Sequence, residues 1–248
     1  MKRTDLQTFA AARNGRWTAA ALAGAALTAA WVARRARRAE RAHPPEGRVL
    51  DVDGVRLHVV DRGEGPPVVL IHGNAVTHRD FDASGVVERL VRSHRVLAFD
   101  RPGYGHSGRP RDRLWTPSAQ AALLHAALAQ LGVERAVVVG HSLGAMVALA
   151  LALDHPGDVR RLVLVGGYYY PTARLDAILT APVALPVLGD VMRYTVTAVS
   201  ARVMLDRMVR AMFAPQEVPV QYVATLSREM LVRPVQLRAS AEDAAFMI

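Results

Sequence analysis

"AVVVGHSLGAMVALALAL", residues 136–153, joins a run of β-branched residues to a run of helix formers through two glycines that flank Ser142. The first part reads as a buried strand and the last as a helix. A strand that turns this tightly into a helix leaves no room for a Cβ on the inside of the bend. Gly140 and Gly144 therefore suit an elbow that pushes the Ser142 hydroxyl out at the carboxyl end of a sheet. The backbone N–H of Leu143, at the start of the helix, then points at any oxyanion formed on a substrate bonded to Ser142.

The surrounding chain supplies the sheet that such an elbow needs. "RVLDVDGVRLHVVDRGEGPPVVLIHG", from Arg48, alternates apolar and polar residues around Asp53-Gly54, a tight-hairpin dipeptide, and leads into the apolar run Val68 to Ile71. "RVLAFD" (Arg95 to Asp100), "RAVVVG" (Arg135 to Gly140) and "RRLVLVGG" (Arg160 to Gly167) are further apolar runs. Helical spacing separates them, as in Ser118 to Gly132. Continuous apolar strands alternating with helices imply an α/β fold with a mostly parallel sheet covered on both faces. From Tyr168 onward the periodicity is helical, and Val203, Met204, Met208, Val209 and Met212 fall near one stripe, expected to pack against other helices or to form a flexible lid.

Two loops complete the site's outline. "VVLIHGNAV" ends a strand at His72-Gly73-Asn74, where the N–H of Asn74 is placed to serve as a second oxyanion donor. "FDRPGYGHSGRP", Phe99 to Pro110, follows another strand. With these motifs the sequence resembles the α/β-hydrolase superfamily, in its lid-bearing serine-hydrolase branch, closely over about residues 47–167 and more loosely beyond. The resemblance implies that Ser142 is the nucleophile, that Asn74 and Leu143 form the oxyanion hole, and that Asp100 to Ser107 form a structural loop. It implies a structural role for His72 beneath the oxyanion loop. His106 is expected at the pocket rim, and His141 is a poor base because its side chain leaves the elbow in another direction. The related dehalogenases and epoxide hydrolases carry Asp in the elbow, so a serine there implies acyl transfer from an ester, thioester, lactone or amide to water. An acyltransferase, or an inactive binding module of the same fold, is the alternative.

The sequence also departs from the family. The family's order is nucleophile, acid, histidine, yet no histidine follows His155 and no strand after Met230 carries an acid. Asp176, Asp190, Asp206 and Asp243 read as solvated charges of the lid. The family has about two strands and two helices beyond the point where "SAEDAAFMI" ends, so the expectation is a hydrolase chain lacking its C-terminal strands. "RLVLVGG" would then be an exposed edge, and turnover would be low.

Composition bounds the remaining functions. The chain has 248 residues, 51% of them hydrophobic, and no cysteine, which excludes disulfides, cysteine-ligated metals and a cysteine nucleophile. No cofactor or metal motif is assigned. The net charge is +9, of which Lys2 and eight arginines, against Asp5 and Glu40, place +7 in the first 42 residues. No aromatic residues interleave with these charges as a nucleic-acid surface requires, so no nucleic-acid partner is assigned. The uncharged run Trp17 to Ala33, about 26 Å long as a helix, is flanked by Arg13, Arg16 and Arg34 to Arg38. It reads as a membrane-anchor helix whose orientation is open. The expected organisation is an N-terminal basic segment and anchor over 1–46, a hydrolase core over 47–167 and a helical lid over 168–248, with a small apolar acyl group as substrate.

Overall fold

A computed structural model describes residues 3–170 and 175–246, the side chains of residues 3–16, 175 and 176 excepted. Strands β1 (Arg48–Val52), β2 (Val55–Arg62), β3 (Pro67–Ile71), β4 (Arg95–Phe99), β5 (Ala136–His141) and β6 (Val159–Val165) form one six-stranded sheet in the order β1-β2-β4-β3-β5-β6. The first two pairings, β1 with β2 and β2 with β4, are antiparallel, and the rest are parallel. The β1–β2 turn has positive φ at both Asp53 (51°) and Gly54 (75°), the mirror-image turn whose twist matches a hairpin.

Helices α2 (Arg79–Ala83) and α3 (Val86–Leu90) cover one face of the sheet, and α4 (Pro117–Gln130) and α5 (Leu143–Asp154) the other. Along β3, Val68 and Leu70 pack into the first layer while Val69 and Ile71 pack into the second. Burial on both faces is why these strands read as unbroken apolar runs. Thr116 starts α4: its side chain accepts the Ala119 N–H at 3.1 Å, and Pro117 occupies the first helical position, where its missing N–H costs nothing.

The rest of the chain is helical: α6 (Leu175–Ala184), α7 (Leu188–Tyr194), α8 (Val196–Phe213), α9 (Val220–Thr225), α10 (Arg228–Leu231) and α11 (Pro234–Ala245). The α8 stripe departs from the helix-packing alternative. Val209 is buried, but Val203, Met204, Met208 and Met212 are exposed, so most of the stripe faces away from the core.

The N-terminal helix α1 (Arg3–Ala42) contains the run expected to anchor the chain. Among the described residues no single helix is long and apolar enough to cross a membrane. The run is mostly alanine, which is only weakly hydrophobic. The C-terminal part of α1 packs on the domain, where Val32 and Ala39 are buried, Arg202 stacks on Trp31 at 5.3 Å, and Arg233 donates to Glu40 at 2.8 Å.

Candidate active site

Ser142 sits at the junction of β5 and α5 with φ 53° and ψ −120°, a backbone conformation that strains any residue with a Cβ. Its N–H donates to Val165 O at 2.8 Å, and its carbonyl accepts the Ala145 N–H at 3.0 Å, so the bend is fixed from both sides. The flanking glycines are sterically required. A Cβ on Gly140 would lie 2.5 Å from the Gly144 carbonyl oxygen, and one on Gly144 would lie 2.2 Å from that of Ile71. Leu143 opens α5, so its N–H has no acceptor within the helix.

The loop after β3 lies directly against this elbow. A Cβ built on Gly73 would stand 3.1 Å from the Ser142 Cβ. His72 is fully buried; its Nδ1 donates to Gly73 O at 2.7 Å while its Nε2 accepts the Arg101 N–H at 3.0 Å. That pattern requires the neutral ring. Burial first, then the Arg101 charge, pushes the His72 pKa down to about 3. The Arg101 guanidinium donates to His72 O at 2.9 Å and to Gly73 O at 3.0 Å. Because the C=O and N–H of a trans peptide point oppositely, holding Gly73 O on Arg101 directs the Asn74 N–H away from that buried cation. The Asn74 side chain is held too, by Tyr104 OH at 2.7 Å and by the Ser240 carbonyl of α11 at 3.1 Å.

Asp243 overturns the reading of it as a solvated charge. It is buried, and its carboxylate accepts from Arg101 at 2.5 Å, Arg109 at 2.9 Å and Tyr104 at 3.0 Å. This network ties α11 to the oxyanion loop. Arg101 and Tyr104 fall in the expected structural loop, but sequence reasoning missed Asp243 because a buried aspartate looks like a surface one until its partners, about 140 positions away, are known. The position of Arg101, next to the structural-loop aspartate Asp100, was the available signal. Asp190 is half-buried and paired with Arg111, Asp206 is exposed and paired with Arg228, and the Asp176 side chain lies outside the described residues.

The histidines fall as follows. His141 Nδ1 lies 3.3 Å from Asp80 Oδ2, and His155 stacks on His125 at 4.1 Å beyond the far end of α5. His106 lines a cavity between the core loops and the lid. No hydrogen bond joins the Ser142 hydroxyl to a histidine among the described residues. Over Leu143, Ala177 of α6 and Ala244 of α11 form a small apolar cluster with Met146 and Tyr168 alongside.

A sequence profile of the α/β-hydrolase fold matches residues 66–219. The chain belongs to the α/β-hydrolase fold family. It is 38% identical over 136 residues to a 2-hydroxymuconate semialdehyde hydrolase of Pseudomonas putida, covering 54% of this chain and 48% of that protein. It is 30% identical over 136 residues to haloalkane dehalogenase 2 of Mycobacterium bovis, covering 54% and 46%. Among solved structures, a candidate epoxide hydrolase from Pseudomonas aeruginosa superposes with a TM-score of 0.65 at 28% identity, over 80% of this chain and 68% of that one. The chain thus spans about half the length of the curated relatives it matches. These relatives are hydrolases, which supports an enzyme.

Proposed function

We propose that this α/β-hydrolase is a serine hydrolase that cleaves ester-type bonds (carboxylic ester, thioester, lactone or amide) through an acyl-enzyme on Ser142. The observation that carries the reading is the strained Ser142 elbow, with Gly73 packed against it. Ser142 Oγ attacks the acyl carbonyl carbon, and its proton passes through solvent to the departing alcohol, thiol or amine; the carbonyl π-bond electrons move onto oxygen, where the Leu143 and Asn74 N–H groups stabilise the negative charge until the carbonyl re-forms. Expulsion of the alcohol, thiol or amine leaves the acyl-serine, which water then hydrolyses. Dehalogenase-type chemistry is disfavoured by the hydroxyl, since an alkyl-serine ether formed by displacement lacks the carbonyl at which water attacks. With no histidine bonded to Ser142 among the described residues, turnover is expected to be slow, because loss of triad members leaves roughly 10³–10⁴ over water from the oxyanion hole and binding. The test is hydrolysis of a small activated ester by the purified chain and by Ser142→Ala: slow turnover abolished by the substitution supports the proposal, and equal rates refute it. Added alcohol acceptors distinguish an acyltransferase, which would form a new ester.

We propose further that the N-terminal part of α1 anchors the chain to a membrane. Trp17, Leu22 and Leu27 of α1 are 70%, 67% and 73% exposed, and Arg34 to Arg38 follow them, an apolar stretch with a basic flank suited to anionic headgroups. Flotation with anionic vesicles should carry the protein upward, and loss of flotation is expected in Trp17→Ser/Leu22→Ser/Leu27→Ser. Flotation unchanged by these substitutions would dismiss α1 as the contact.

A further inference from the structure

We propose that the cavity between the loop before α4, helix α7 and helix α11 binds a small amphiphilic anion, its carboxylate or phosphate head on Arg111, Arg193 and Arg238 and its apolar body on Leu114, Leu185 and Phe246. The cavity measures about 390 Å³, a size usual for small-molecule sites, and its walls come from the segments 109–115, 184–193 and 238–246. It shares no lining residue with the Ser142 elbow or the oxyanion loop.

The walls carry more cations than their carboxylates can match. Among the described residues, Arg109, Arg111, Arg113, Arg193 and Arg238 line the cavity against only Asp190 and Glu242. Arg113 is matched by Asp112 at 3.0 Å, and Arg109 by Glu242 at 2.6 Å and Asp243 at 2.9 Å. Asp190 gives both oxygens to Arg111, at 2.5 and 3.0 Å, and must also serve Arg193. Burial, then repulsion from Arg111 and Arg238, pushes the Arg193 pKa down. Burial, only partly offset by Glu242, and then Arg111 and Arg109 do the same to Arg238. A guanidinium does not shed its proton near neutral pH, so a further anion is what relieves the repulsion.

An independent observation points to a ligand. The Arg238 side chain is nine-tenths buried; its Nη2 donates to the Arg109 carbonyl, but its Nε is buried without a hydrogen-bond partner, 3.3 Å from Glu242 Oε1 and out of line with it. Buried donors are normally satisfied. The apolar lining decides the class of anion. Leu114 and Leu185 are exposed and Phe246 is half-buried, all three on the same cavity as the guanidinium groups. A ligand charged at one end and apolar at the other uses both, whereas a simple inorganic anion leaves the leucines facing water.

The test is calorimetric titration of the full chain at low ionic strength with octanoate, and separately with octyl phosphate, octanol and inorganic phosphate. One octanoate or octyl phosphate per chain, bound about 10-fold or more tightly than octanol and inorganic phosphate, supports the site. Arg193→Gln should weaken that binding about 10-fold or more with the circular dichroism unchanged, because it removes a charge its neighbours repel. Leu114→Asp changes an exposed residue and sets a carboxylate beside the arginines; it should weaken binding as well, a readout that holds even if Arg193→Gln does not fold. Binding of neither amphiphilic anion, octanol or inorganic phosphate bound as tightly, or undiminished binding in folded Leu114→Asp would overturn it.

Discussion

Ser142, Gly140 and Gly144 illustrate what single residues declare on their own. The two glycines are demanded by contacts of 2.5 Å and 2.2 Å that any side chain would make, and the sequence pattern carries that demand openly. His72 shows a different kind of legibility: its structural role was expected, but its electrostatics follow only from the burial and from Arg101. Its pKa lies at about 3 in the folded chain and near 6.5 once unfolded, so between these values the unfolded state binds the extra proton. Stability contributed by neutral His72 is therefore present above about pH 6.5 and is lost as pH falls toward 3, at up to about 1.4 kcal/mol per pH unit. His78 works in the opposite sense: burial alone would lower its pKa, but the Asp100 charge and hydrogen bond outweigh burial and raise it, so its contribution is lost as pH rises. Comparing urea midpoints at pH 7 and pH 5 isolates His72, because His72→Asn should shrink the acid-induced loss. An unchanged pH dependence in that variant would contradict the neutral buried ring.

At the scale of elements, the parallel strands and the elbow helix α5 were readable because burial on both faces leaves nothing polar to confuse the pattern. The insertion of β3 between β4 and β5 was not, since strand order depends on crossovers rather than on local residues. The region after Tyr168 is helical as its periodicity predicts, but periodicity marks an apolar stripe without saying whether anything covers it. Asp243 was unreadable for the same reason: α11 looks like an amphipathic surface helix until it docks on Arg101 and Arg109. That docking gives an expected outcome. Asp243→Asn leaves two buried guanidinium groups without their shared carboxylate and should cost about 3–5 kcal/mol, measured by chemical denaturation. Glu242→Gln, whose carboxylate is partly exposed, should cost much less. Equal losses for the two variants would remove Asp243 as the anchor of α11.

Across the whole molecule, β6 borders the sheet among the described residues, and Val163, Leu164 and Val165 are 43%, 38% and 48% exposed. The sequence suggested this edge through a strand as apolar as its buried neighbours. Such an edge offers unpaired backbone groups and apolar side chains to other chains. The 248-residue protein should self-associate with rising concentration, and Val163→Lys should reduce that association in sedimentation velocity without changing the fold. If wild type and variant sediment alike as monomers, the edge is not adhesive.

The proposed function rests on Ser142 acting as a nucleophile beside the N–H groups of Leu143 and Asn74. Intact-protein and peptide mass spectrometry after prolonged exposure to a fluorophosphonate probe reads this out, because phosphonylation needs attack by the serine, slow without a base, but no second turnover step. A single adduct on the peptide containing Ser142, absent in Ser142→Ala, is the expected result; no adduct, or an adduct that persists in Ser142→Ala, would contradict it.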